Sequence, residues 1–299
     1  MKNEITKFLA YDKKVSVICI ETTEITEYIK NLHDLTPTTT AVLGRIITAA
    51  TLIAHTDLKS EEDSLTIQLK GDGPCGISVA IVELENLKTV KIKAYIQNPH
   101  VELPLNKLGK INVGGAVGNT GFLNIIKQNE DTGANYNGIV PLVTGEIAED
   151  FAEFFAKSQQ RPTAIALGVL VDKDGVKKAG GYMINPMPDA TEEEITKIEE
   201  AISNSPTISQ MLEQNMGLEE IAKKVTGDEN LEVLEKDLRV EYECKCSKEK
   251  IKRGIISLGK EEIQKIIEED EKLEATCHFC NKKYEFTKKE LEGIIKEAK

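Results

Sequence analysis

The chain has 299 residues, 40% hydrophobic and 29% charged, with a formal net charge of −12. That length suits about two domains and a sizeable core, and the acidic balance opposes non-specific binding to nucleic acid, which draws on Lys and Arg to neutralise phosphates. Met1 to Lys14 contains no apolar signal-peptide core, and the longest apolar stretch, Ala41 to Ala54, has 14 residues where a bilayer span needs about 20. From the N-terminus, Val15 to Ile20 alternates and is rich in β-branched residues, as a strand. Two helices follow. The second starts near Pro37 with Thr36 as its N-cap and carries Ala41, Val42, Ile46, Ala49, Ala50 and Ile53 at helical spacing.

Ser64 to Leu69 reads as a strand that ends at Gly71-Asp72-Gly73-Pro74, a turn. Ile77 to Leu84 and Thr89 to Ile96 are further strands. Ile111 to Val143 reads as short strands and turns, Gly114-Gly115-Ala116-Val117-Gly118 among the turns. Gly145 to Gln160 is a helix with an apolar face of Ile147, Phe151, Phe154 and Phe155. Thr163 to Val171 and Val176 to Ile184 flank Asp172-Lys173-Asp174-Gly175 as a hairpin. Strands and helices mix without βαβ alternation, so residues 1–185 are expected to be an α+β core domain.

Asn185-Pro186-Met187-Pro188 closes that domain. Residues 186–237 read as a helical linker. Thr191 caps a first turn of Glu192-Glu193-Glu194, which suits the helix dipole, and Ile195, Ile198 and Ile202 form one apolar stripe. Shorter helices are expected over Ile208 to Asn215 and Leu218 to Val225; at that length their stability must come from docking. Ala190 to Glu235 holds 12 acidic and 3 basic residues, a net of −9. The plain reading is a solvated helix face; the other is a segment of marginal stability.

Residues 238–299 form a small third module holding four cysteines. Cys244 and Cys246 make a Cys-x-Cys pair, Cys277 and Cys280 a Cys-x-x-Cys pair, with 30 residues between. Four soft thiolates suit one tetrahedral Zn²⁺, and Cys-x-x-Cys is a common half-site. In a reducing compartment such pairs point to metal or redox chemistry rather than structural disulfides. A passive zinc staple, a redox-responsive zinc site and a metal-free thiol cluster all fit the spacing. Glu274 to Thr276 and Tyr284 to Phe286 read as strands flanking the Cys277 turn, with Tyr284 and Phe286 on one face. Lys245, Lys248, Lys250, Lys282 and Lys283 are placed to offset the net −2 of a zinc tetrathiolate.

His278 is a candidate substitute ligand. Cys19 reads as a buried core thiol, and Cys75 as a thiol exposed in its turn. His33, His55 and His100 have no convincing catalytic companions. Two other function classes fit the thiol pairs less well: a zinc-ribbon nucleic-acid adaptor, disfavoured by the charge, and a disulfide reductase using Cys277 and Cys280, which lack the strand-to-helix setting of a thioredoxin-like site.

The chain resembles the redox-regulated heat shock protein thirty-three family of 33 kDa chaperonins from about Val15 to Leu291. The likeness rests on Leu43-Gly44-Arg45, Gly71-Asp72-Gly73-Pro74, Gly145 to Asp150, Ala179 to Tyr182, Cys244-Lys245-Cys246-Ser247, Ser257 to Ile263 and Cys277-His278-Phe279-Cys280. Ser158-Gln159-Gln160 departs from the family's Ser-Glu-Gln without touching a ligand. The resemblance implies a cytoplasmic, ATP-independent holdase and no enzyme. One Zn²⁺ per chain would be held by Cys244, Cys246, Cys277 and Cys280 in a reduced, inactive form. Oxidation would form Cys244–Cys246 and Cys277–Cys280 disulfides, release zinc and unfold the linker. The oxidised form would be a homodimer that binds unfolded client proteins, with neither nucleic acid nor membrane as partner.

Overall fold

The computed structural model describes residues 3–129, 131–269 and 272–297. The chain divides into two compact units, one up to Tyr242 and one from Glu243. In chain order the first unit contains β1 (Ile5–Ala10), β2 (Val15–Glu21), α1 (Thr23–His33), α2 (Pro37–Asp57), β3 (Asp63–Lys70), β4 (Ile77–Asn86) and β5 (Thr89–Ile96). It continues with α3 (Val113–Val117), β6 (Phe122–Asn129), β7 (Asn135–Pro141), α4 (Ala148–Ser158), β8 (Ala164–Asp172) and β9 (Gly175–Pro186). Helices α5 (Glu192–Ser203), α6 (Ile208–Glu213) and α7 (Leu218–Thr226) precede β10 (Glu232–Tyr242).

The ten strands form one sheet in the order β7-β6-β3-β4-β5-β10-β1-β2-β9-β8. Strand β10 joins its halves. Its first part runs antiparallel to β1, with Leu238 opposite Ile5. From Arg239 to Tyr242 it runs parallel to β5. The change of partner coincides with a left-handed residue, Asp237, at φ 59. Neither β1 nor β10 was anticipated from the sequence. The α+β class is as expected, and β3, β4, β5, β8 and β9 fall within two residues of their expected bounds.

Helix α2 is the centre of the larger core. Thr36 accepts from the backbone N–H of Thr39 and Pro37 occupies the first turn, the arrangement its sequence indicated. By length and hydropathy α2 is able to cross a membrane, but 89% of that window is buried inside the protein. Its core threonines are satisfied within the helix: Thr48 and Thr51 donate to the carbonyls of Gly44 and Ile47, both at 2.8 Å, so no hydroxyl is stranded there. A Cβ at Gly44 would lie 2.7 Å from Thr26 Cγ2 and 2.9 Å from Val169 Cγ2. Only glycine lets α1 and β8 approach this closely.

Helix α4 begins at Ala148, later than the Gly145 expected, because Gly145 and Ile147 both take positive φ. The Asp150 carboxylate compensates by accepting from the N–H groups of Val143, Thr144 and Ile147 at 2.7, 3.1 and 2.9 Å. This fixes the helix so that Phe151, Phe154 and Phe155 are fully buried, about 3–5 kcal/mol each if truncated.

The Gly71 turn and the glycine-rich stretch pack directly on each other. A Cβ at Gly71 would stand 2.0 Å from the Val117 carbonyl oxygen. The stretch read as a turn is instead the short helix α3, whose N-cap Asn112 accepts from Gly115 N–H. Cys75 is corrected by the same contact: it is 1% exposed, with its N–H on the Ala116 carbonyl at 3.1 Å. Cys19 is fully buried, as expected.

Helices α5–α7 form a second layer on the opposite face. Thr191 caps α5 and closes a capping box with Glu194. Ile198, Ile208, Met211, Leu212 and Ile221 pack on Phe8, Val17 and Tyr182 of the sheet. Residues expected to dock therefore do dock, and that packing stabilises helices too short to persist alone.

Candidate metal centre

The second unit consists of α8 (Lys248–Ile256), α9 (Lys260–Glu269), the hairpin β11 (Lys272–Thr276) and β12 (Lys283–Thr287), and α10 (Lys288–Ile294). Alternation along β12 buries Tyr284 and Phe286 and exposes Lys283, Glu285 and Thr287. Phe286 packs with Ile255, Ile263, Leu291 and Ile294 into one small core that also holds Cys277. Ser247 caps α8 by accepting from Lys250 N–H, so Cys246 stands immediately before a helix N-terminus.

The Cys277 segment is a tight turn. Asn281 N–H donates to the Cys277 carbonyl at 2.8 Å and Cys277 N–H donates to the Lys282 carbonyl at 3.0 Å. Asn281 takes φ 57 to close it. This turn brings Cys277 and Cys280 to face Cys244 and Cys246, and all four sulfurs lie within 4.8 Å of one another. Cys244 Sγ is 3.7 Å from Cys277 Sγ, and Cys246 Sγ is 3.4 Å from Cys280 Sγ. These are separate thiols, far from the S–S bond of about 2.05 Å. A tetrahedral tetrathiolate with metal–sulfur bonds of about 2.3 Å has its sulfurs about 3.8 Å apart. The four cysteines fit that geometry.

The electrostatics are uneven. Burial and the contact with Cys280 push the Cys244 thiol well up, and burial raises Cys280. Burial opposes ionisation of Cys246 too, but donation from the Tyr284 hydroxyl at 3.0 Å, with the neighbouring thiols, brings it to about 7. The sequence indicated Tyr284 only as packing, and the structure sets its hydroxyl 3.0 Å from Cys246 Sγ. A phenol directed at a ligand sulfur fixes its orientation and charge. Three of the five lysines placed to offset a tetrathiolate are shared with acids: Lys245 pairs with Glu243, Lys248 with Glu290 and Lys283 with Glu274.

A family model described as Hsp33 protein matches residues 3–287. The chain is 42% identical to the 33 kDa chaperonin of Caldanaerobacter subterraneus subsp. tengcongensis, covering all of this chain and 99% of that one. It is likewise 42% identical to the 33 kDa chaperonin of Enterococcus faecalis, covering 98% of it. The crystal structure of the 33 kDa chaperonin from Thermotoga maritima superposes with a TM-score of 0.85 at 35% identity over 99% of both chains. An α+β sheet domain followed by a tetrathiol module, matched throughout to chaperonins, defines a chaperone and not an enzyme. The chain belongs to the Hsp33 family.

Proposed function

We propose that the protein is an ATP-independent holdase switched on by oxidation in the cytoplasm. The observation that carries this reading is four sulfurs gathered at tetrathiolate spacing in a unit of small core. In the reduced form Cys244, Cys246, Cys277 and Cys280 would hold one Zn²⁺, and as its thiolate ligands they would tie the β11–β12 turn to the chain leaving β10. Thiolates are the form that oxidants attack.

Oxidation joins Cys244 to Cys246 and Cys277 to Cys280. Each disulfide forms from two thiolates with loss of two electrons, which one hypochlorous acid and one proton accept to give chloride and water. Four thiolates thus consume two oxidant molecules. With its ligands consumed the site holds no ion, and the small unit loses the binding energy that folds it. Residues 186–237 then leave the sheet, and apolar surface opens for unfolded client proteins. The active form is a homodimer.

Light scattering from a heat-denaturing client tests the reading. The reduced, zinc-loaded protein is expected to leave aggregation unchanged, and the hypochlorous-acid-treated protein to suppress it. Equal suppression by both forms, or by neither, contradicts the switch. A nucleic-acid adaptor would instead show salt-dependent RNA or DNA binding by the reduced form.

A further inference from the structure

The way α5–α7 sit on the sheet describes what else fits there. Ile198, Met211, Leu212 and Ile221 cover an apolar face of β1, β2 and β9. Beside that contact the β1–β2 hairpin presents two cations. Lys14 Nζ lies 2.9 Å from Glu194 and Lys13 Nζ 3.0 Å from Glu232. The Tyr11 backbone N–H adds a donor at 2.7 Å to the Asp228 carboxylate.

Every acid in that set comes from the segment Ala190 to Glu235, which carries −9 of the chain's −12. The linker is thus an apolar stripe with carboxylates at its margin, seated on an apolar face with ammonium groups at its margin. Where Glu232 and Glu235 meet β1 the ladder is irregular, with register shifts on both sides of Lys7.

We propose that this face, once the linker has left it, selects client segments that are amphipathic and acid-flanked, with Lys13 and Lys14 as the selecting charges. The inference rests on the holdase reading above, which supplies the release of residues 186–237. Release strips both lysines of their ion-pair partners at the moment the apolar face opens. Apolar burial supplies the affinity for any unfolded segment. The lysines bias which segments are held, because complementary charge at a margin acts on specificity and encounter more than on total affinity. A segment flanked by lysines meets like charge there. Outside Ala190 to Glu235 the chain carries a net of only −3.

The test uses the full chain, oxidised with hypochlorous acid, and two fluorescein-labelled peptides that share one amphipathic apolar pattern. One carries Glu and the other Lys at the flanking positions, and binding is followed by anisotropy. The Glu peptide is expected to bind roughly three- to tenfold tighter at low salt, the scale of a few exposed ion pairs. The gap should close at about 1 M salt, where screening acts within about 3 Å. Reversing the charges with Lys13→Glu and Lys14→Glu should invert the order. Lys13→Glu alone, at a side chain 64% exposed and so harmless to folding, should narrow the gap. Equal binding of the two peptides by oxidised protein that does suppress client aggregation overturns this inference and leaves the holdase reading intact. Oxidised protein that suppresses no aggregation overturns the holdase reading itself.

Discussion

In the first unit, α2 is enclosed by strands of both sheet halves and by α3 and α4, and its burial joins them into one continuous apolar core. Among the described residues, the unit from Glu243 onward has only a handful of buried apolar side chains, and Cys277 is one of them. A core of the first kind keeps its fold whatever happens to a thiol. A core of the second kind is below the size at which apolar burial alone usually suffices, and such modules lean on a metal or disulfides. One chain thus combines a unit held by a large apolar core with a unit whose small core includes a cysteine.

The largest effect expected is from metal removal. Structural zinc contributes about 10–16 kcal/mol in small modules, more than a module of this size holds otherwise. Chelation of the reduced protein should therefore abolish amide protection in β11, β12 and α10 while α2 remains protected by hydrogen exchange. Retained protection in the hairpin would erase the contrast between the units. A cut in the first core does the opposite: Phe154→Ala should lower stability in urea by about 3–5 kcal/mol and leave one zinc per chain by elemental analysis.

Acid sharpens the contrast through His55. Burial, with Lys7 adding to it, lowers this histidine to about 4. Its Nε2 meets the Arg239 carbonyl at 3.2 Å, where β10 changes partner, and Nδ1 is buried without a partner. An unfolded histidine takes its proton near pH 6.5, so the unfolded chain gains the proton first. The stability from keeping His55 neutral is complete above pH 6.5 and disappears as pH falls toward 4, about 3 kcal/mol in all. His55→Gln should flatten that part of the pH profile in urea melts of the first unit.

Tyr284→Phe removes the donor on Cys246 and should weaken zinc affinity roughly tenfold, the lower end for a group that orients a ligand, as read by competition with a chromophoric chelator. The smallest effect belongs to Glu194, which donation from Lys14 and the Thr191 amide holds down at about 2. Its contribution is present above the ordinary carboxylate range and fades as pH falls from there to about 2. Glu194→Gln should slightly speed amide exchange in α5 at pH 7 and remove the fading between those limits.

Much of this was legible in the sequence because the signals are local. The α2 cap, the capped acidic start of α5 and the alternation of Tyr284 with Phe286 are each written within a few residues. The four-cysteine cluster was legible from spacing and residue type. What escaped depends on distant partners. Strand β10 is charged along most of its length and is a strand only because β1 and β5 lie on either side of it. Cys75 sits in a turn of the kind that is usually exposed, and is buried because Gly71 and Gly73 let α3 close over it. Asn281 and Asp237 take left-handed conformations that their neighbours in the sequence do not announce.

Hydrogen exchange read by mass spectrometry, comparing the reduced zinc-loaded chain with the hypochlorous-acid-treated chain, tests the central claim most directly. The account predicts that protection disappears together in residues 243–297 and in α5–α7, while α2, β3, β4 and β5 stay protected. Protection kept in α5–α7 after oxidation, or lost equally from α2, would contradict it.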